Sequence, residues 1–225
     1  MFDIFLQIDS TAVGAEVVTK TESVWSLLGK GGPLMWPLYL LFVLTIFFFF
    51  ERLLVIRKAG QVDQNFMSII RDNIVNGNIS AARSLAANTS HPVARIIDKG
   101  IQRIGKPIDA IEKSMENTGK LEMYKLEKNM SILSVISRFA PLFGFVGTIV
   151  GLVLLLKQFA TVENPSISQI ADAMYIKLIT SATGLIIGML AYLGYAYLDT
   201  QVNRTGNMME SASNEFIDML QEPTR

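Results

Sequence analysis

The 225-residue chain carries 20 Lys/Arg and 20 Asp/Glu, so its formal net charge is zero, and half of its residues are hydrophobic. That is too apolar for an ordinary soluble domain of this length, while the 18% charged residues exclude a wholly membrane-buried bundle. With no cysteine and one His, the chain offers no disulfide, no thiolate metal site and no recognisable zinc or di-iron cluster. What remains is an all-α integral membrane protein that mixes spans with water-facing helices.

Residues 1–33 are mixed in character. Thr21, Ser23, Trp25, Leu27 and Leu28 suggest a short amphipathic helix with an interfacial Trp, ended by Gly29, Gly31, Gly32 and Pro33. The first apolar run follows. It has no basic n-region before it and no small-residue cleavage site, so it reads as a retained span over residues 34–56, with Glu51 and Arg52 closing its Leu/Phe-rich heart. Its all-round apolarity argues against a buried soluble helix.

Residues 57–136 are charged and read as a helical domain. Asn76-Gly77-Asn78 is a turn, with Ser80 the expected cap of the next helix. His91-Pro92 starts another helix, and His91 reads as a helix-start residue, not a ligand. Gly105 and Pro107 mark a break. Ile97, Ile101, Ile104, Ile108, Ile111 and Met115 alternate in steps of four and three, which predicts one apolar face like a coiled-coil seam. The helix starting near Pro107 is expected to run unbroken into the second span, because no later Gly/Pro break appears before Pro141.

The second span covers 137–157, a short polar loop 158–174, and the third span 175–198. The tail, 199–225, places Met208, Met209, Phe216, Met219 and Leu220 at near-helical spacing and reads as an amphipathic helix. Basic residues set the expected orientation. Residues 51–138 hold 14 Lys/Arg against 9 Asp/Glu, whereas residues 1–50 hold 2 against 4. The positive-inside rule therefore puts the middle segment and the C-terminus in the cytoplasm and the N-terminus in the periplasm.

Small residues distinguish spans two and three. Ala140, Gly144, Gly147 and Gly151 recur along one side of the second; Gly184, Gly188 and Ala191 do so along the third. Such faces let helix backbones approach closely where lipid supplies no hydrophobic drive. The hydroxyls of Thr148, Thr180 and Ser181 fit either of two readings: bonding back to their own helix, or forming a polar seam facing a narrow pore. Neither 139–156 nor 178–198 contains Asp, Glu, Lys, Arg or His. A proton cannot cross hydrocarbon without a titratable group or a water wire, so a partner must supply the acid. Lys177 reads as a snorkelling side chain or, with less support, a pore-mouth residue.

The run Ala140-Pro141-Leu142-Phe143-Gly144-Phe145-Val146-Gly147-Thr148-Ile149-Val150-Gly151-Leu152 resembles the second-span signature of the ExbB/TolQ/MotA proton-channel superfamily, and is most like ExbB. Gly31-Gly32-Pro33-Leu34-Met35-Trp36-Pro37 with Glu51-Arg52 resembles the family's first span, and Leu178-Ile179-Thr180-Ser181-Ala182-Thr183-Gly184-Leu185 its third. The resemblance covers roughly residues 23–200. Many relatives have a Glu eight residues before the third-span Gly; here Ile176 stands there, which shifts the acid to the partner.

The resemblance implies a homopentamer in the bacterial inner membrane, with span one on the lipid side and spans two and three lining a pore. It implies a single-span ExbD/TolR-like subunit whose membrane Asp lies beside Thr148 and Ser181, and a TonB-like protein downstream. TolQ-like service in envelope integrity is the near alternative. A passive scaffold or self-sufficient channel is an alternative of another class, and an enzyme is disfavoured because no span carries a nucleophile–base pair. No cofactor, metal or nucleic-acid partner is expected.

Overall fold

The structure, a computed structural model, describes residues 35–61, 63, 65–160 and 166–221, with the backbone alone at Gln158, Gln169, Asp172, Ala173 and Ile176. The expected N-terminal amphipathic helix, the approach to the first span at 31–34 and most of the polar loop lie outside the described residues, as does the side chain at Ile176. Among the described residues there are seven α-helices and no strand: α1 Met35–Ala59, α2 Phe66–Val75, α3 Ile79–Asn88, α4 Pro92–Ile101, α5 Ile108–Glu127, α6 Met130–Phe159 and α7 Ile167–Gln221. Three of them, α1, α6 and α7, are long and apolar enough to cross a bilayer.

Each span is a helix because hydrocarbon leaves backbone amides no other partner. In α1 even Thr45 follows this logic, its hydroxyl donating to the Leu41 carbonyl at 2.8 Å. Met35 and Leu38 of α1 pack with Ile136 and Ala140 of α6 and Ile187 and Ala191 of α7 in a small core within the three spans. The opposite side of α1 is bare: Trp36, Leu40, Val43, Phe47, Phe50 and Leu54 are exposed at helical spacing.

Beyond the spans the chain builds a second, larger core. Ile56, Phe66, Ile70, Ala82, Ile97, Met115, Leu133, Leu198, Val202 and Phe216 are all buried in it, so α7 leaves the spans and becomes the spine of the helical domain without interruption. The amphipathic tail is thus the lower part of α7, with Met209, Phe216 and Met219 buried and Met208 and Leu220 packed at the margin. Gly100 permits the close approach of α4 to α7, because a Cβ there would stand 2.6 Å from the Phe216 Cε1.

Local signals explain the short helices. Gly77 supplies the left-handed conformation of the 76–78 turn, with φ of 75°. Asn78, not Ser80, caps α3: its side chain accepts from the Ala81 amide, because the helix begins at Ile79 and Ser80 already lies inside its first turn. His91 caps α4 through Nδ1, which accepts from the Ala94 amide at 3.0 Å, and Pro92 takes the first helical position. The His91 ring is buried edge-on against Phe66, with ring centroids 5.0 Å apart.

Two further expectations need correction. The Ile97-to-Met115 repeat is not one helical face: the chain reverses between Ile101 and Ile108, with Gly105 at φ of 92°, and the buried members meet from α4 and α5 in the same core. Nor does the Pro107 helix run unbroken into the second span. It stops at Glu127, and Asn129 takes a left-handed φ of 65° before α6 begins. Asn tolerates that conformation better than most residues, so the break needs no Gly or Pro.

That break is tied down by charge. Arg52 is buried on α1; its Nε donates to Glu51 at 2.7 Å, its second guanidinium nitrogen pairs with the same carboxylate, and its third reaches the Lys125 carbonyl at 3.4 Å, in the last turn of α5. Nearby, the almost fully buried Glu122 accepts from Arg95 at 2.5 Å and from Lys125 at 2.6 Å. Burial pushes the Glu122 carboxyl up, but the hydrogen bonds and charges of Arg95 and Lys125 more than offset it, and the net shift is downward.

Candidate functional site

The two glycine-bearing spans run antiparallel, and their small residues set how closely they pack. A Cβ on Gly144 would stand 3.1 Å from both the Cα and the carbonyl oxygen of Ser181, and 3.2 Å from the Thr180 carbonyl. One on Gly184 would stand 2.6 Å from the Ala140 carbonyl oxygen. A Cβ on Gly188 would meet the Pro141 ring at 2.5 Å and the Ser137 carbonyl at 2.9 Å. Backbone therefore lies close against backbone along this crossing, the geometry that small-xxx-small faces permit.

Gly147 is buried as well. Gly151 differs, because the space its missing side chain leaves is filled by the aliphatic stem of Lys177. Lys177 is thus half-buried, with its stem lying across α6. Ala140 and Ala191 are fully buried, facing the core shared with α1. Pro141, which the sequence marks only as part of a motif, is the surface on which Gly188 rests. Nothing in the sequence around Pro141 signals that contact; it is visible only once the register between α6 and α7 is known.

The three hydroxyl residues separate. Thr180 is 1% exposed and lies inside the α6–α7 contact. Thr148 and Ser181 are half-buried, and Thr148 donates to the Phe145 carbonyl at 2.6 Å. Thr183 behaves likewise, donating to Ile179 at 2.8 Å. Thr148 thus bonds back to its own helix, while its oxygen keeps lone-pair capacity at a partly open edge.

Towards the helical domain, a groove of about 360 Å³ opens beside the Gly188–Pro141 contact, lined by Ser134, Ser137, Arg138, Tyr192 and Tyr195 among others. The result is a wall with hydroxyls along its middle, Lys177 at one end and Arg138 at the other. It carries no Asp, Glu, Lys, Arg or His in between, across 139–156 and 178–198. Such a surface offers hydroxyls but no carboxylate, imidazole or amine between its two ends.

Comparison with known proteins matches residues 88–211 to the model of the MotA/TolQ/ExbB proton channel family. The biopolymer transport protein exbB1 of Vibrio cholerae is 24% identical over 200 residues, covering 86% of this chain and 86% of that protein. An ExbB homolog from Methanothermobacter thermautotrophicus is 22% identical over 191 residues, covering 83% of this chain and 67% of its own length. An ExbB-like protein from Synechocystis is 25% identical over 191 residues, covering 80% and 72%.

Proposed function

The chain belongs to the MotA/TolQ/ExbB proton channel family, and from that premise we propose that it is the channel-wall subunit of an ExbB-type motor that couples the proton motive force to TonB-dependent transport across the outer membrane. The observation that carries this reading is the α6–α7 contact, where Gly144 lies against Ser181 and leaves Thr148 and Ser181 at a partly open edge with no acid of their own. Five copies would enclose a pore lined by α6 and α7, with the bare stripe of α1 towards lipid. The middle segment and C-terminus would lie in the cytoplasm of a bacterial cell, the N-terminus in the periplasm, as the excess of basic residues in 51–138 supports.

The proton carrier in this reading is an Asp on the span of a second, ExbD/TolR-like subunit placed beside Thr148 and Ser181. Protonation neutralises the Asp, so that it can pass the apolar stretch; release on the cytoplasmic side restores its charge. Each proton delivers roughly 2.3 kcal/mol per 100 mV of membrane potential. Several RT per step is enough to bias the partner's movement inside the ring. The partner's periplasmic part would then act on a TonB-like protein.

The test is reconstitution of the purified oligomer in liposomes with and without its partner. Proton flux is expected only with both chains present and only while the partner's span carries its Asp. Proton flux at a useful rate from this chain alone would overturn the reading in favour of a self-sufficient channel. Rescue of a TolQ-deficient strain, but not of an ExbB-deficient one, would move it to the envelope-integrity branch.

A further inference from the structure

Away from the channel wall, where α1 meets the helical domain, Lys58, Arg95 and Lys125 line a pocket of about 350 Å³ together with Val55, Pro92 and Leu126. Glu122, which also lines it, accepts from Arg95 and Lys125 and neutralises one of the three cations. Two positive charges remain. Lys58 is exposed and forms no ion pair among the described residues, and the Arg95 and Lys125 side chains are 43% and 64% exposed. Arg95 donates one bond to the Ser90 carbonyl and one to Glu122, so further guanidinium N–H groups are left over.

The position of Lys58 says what this pocket faces. Trp36, Leu40, Val43, Phe47, Phe50 and Leu54 follow one another in steps of four and three residues, and all are more than half exposed. Lys58 comes four residues after Leu54, on the same face of the same helix. An exposed apolar stripe about one hydrocarbon thickness long thus ends in a cation at the mouth of a basic pocket with apolar walls.

We propose that this pocket binds the phosphate of an anionic phospholipid headgroup, with the acyl chains lying along the exposed stripe of α1. Phosphate is the shared chemistry of a lipid headgroup and a soluble anion; the stripe and the apolar walls of Val55, Pro92 and Leu126 favour the lipid. Assignment to the cytoplasmic leaflet rests on the orientation proposed above. Lipid retention and proton-driven uptake are measured separately, so lost uptake with normal retention counts against the function alone, and lost retention with normal uptake against this site alone.

The full-length oligomer is equilibrated in mixed micelles of equimolar phosphatidylglycerol and phosphatidylcholine, and the phospholipid kept per protomer is counted by native mass spectrometry. Phosphatidylglycerol is expected in excess over phosphatidylcholine. Lys58→Gln is expected to lower that ratio about fivefold, as the usual contribution of one basic residue at an anionic membrane surface implies. Adding Lys125→Gln should lower it further, whereas Lys106→Gln, an equal charge change in the exposed α4–α5 connection, should leave it unchanged. An unchanged ratio in Lys58→Gln would overturn the proposal. So would displacement of the lipid by millimolar inorganic phosphate, which would mark a soluble-anion site. Amine–carboxylate cross-linking of Lys58 to an acidic residue of another copy, with no phosphatidylglycerol retained, would assign the pocket to a subunit interface instead.

Discussion

Phe216, near the far end of α7 and wholly buried, lies so close to Gly100 that a methyl group at residue 100 would overlap its Cε1 and the Met115 sulfur, which a Cβ would approach to 2.7 Å. Gly100→Ala is therefore expected to destabilise the helical domain by about 1–3 kcal/mol through overpacking. Phe216→Ala should cost about 3–5 kcal/mol through the cavity it leaves. Thermal unfolding of the detergent-solubilised protein measures both, and a Gly100→Ala variant that melts like the wild type would show that this contact relaxes freely.

The glycines of α6 and α7 should not respond alike. Gly184→Ala sets a methyl group against the Ala140 carbonyl, a backbone atom that cannot step aside, so the spans must separate. Gly151→Ala meets only the flexible stem of Lys177, which can swing away. The expected outcome is a weakened or absent oligomer on native mass spectrometry for Gly184→Ala and a normal one for Gly151→Ala. Equal behaviour of the two variants would remove the distinction between backbone and side-chain contacts.

Thr148→Ala and Ser181→Ala remove hydroxyls from the half-open edge without touching the buried glycine contacts. Assembly should stay normal, and proton-driven uptake should fall in each single variant and further in the double. Thr180→Val serves as a comparison, since Thr180 is sealed inside the helix pair. Its loss should appear in stability more than in flux. Full uptake in the Thr148→Ala/Ser181→Ala double variant would rule out a polar seam.

Two ionisable side chains of the helical domain give the protein an acid limit. Burial, followed by the Arg95 charge, lowers the His91 pKa, with Asp63 opposing, so folding favours the neutral ring whose Nδ1 caps α4. Stability from His91 is present above its ordinary pKa of 6.5 and is lost as the pH falls through the lower folded value. Glu122 is also lowered in the fold, and its contribution is present above 4.5 and disappears as the pH falls below that. His91→Asn keeps a capping side chain without the titration, so melting temperature should depend less on pH just below 6.5 than in the wild type. A pH profile identical to the wild type would show that His91 does not titrate on unfolding.

Asn129→Val tests the break before α6. A β-branched residue at φ of 65° should cost about 1–2 kcal/mol more than Asn129→Gly, which loses the same side-chain hydrogen bond to Glu51 without the conformational strain. Circular dichroism melts of the two variants compare them directly, and a Val variant as stable as the Gly variant would indicate that the helix simply continues there.

The three spans were legible because hydrocarbon imposes one uniform demand over some twenty residues, and the glycines of α6 and α7 announced a close contact by their spacing. Other features depend on register. That Gly188 receives Pro141 while Gly151 receives Lys177 follows from how two helices slide against each other, which no single span reveals. The Asn129 break was hidden because Glu127-Lys128-Asn129-Met130 contains no strong helix breaker; Arg52 and the Lys125 carbonyl, 73 positions apart, meet beside it. The isoleucine repeat misled for a related reason. Its steps fit a helix, yet Gly105 and Pro107 turn the chain midway and the two halves pack against each other.

Length and continuity are unevenly shared between α6 and α7. α7 is one 55-residue rod, about 80 Å from end to end, with no proline along it. α6 contains Pro141 and joins its neighbour through an elbow at Lys128 and Asn129. On a rod of that length, a tilt of about one degree at the upper end carries the far end by roughly an ångström, whereas the elbow before α6 is held by Arg52 on the Lys125 carbonyl. Movement begun near Ser181 would then reach Phe216 as leverage, and the distal helices would register what happens in the bilayer with no relay of side chains between.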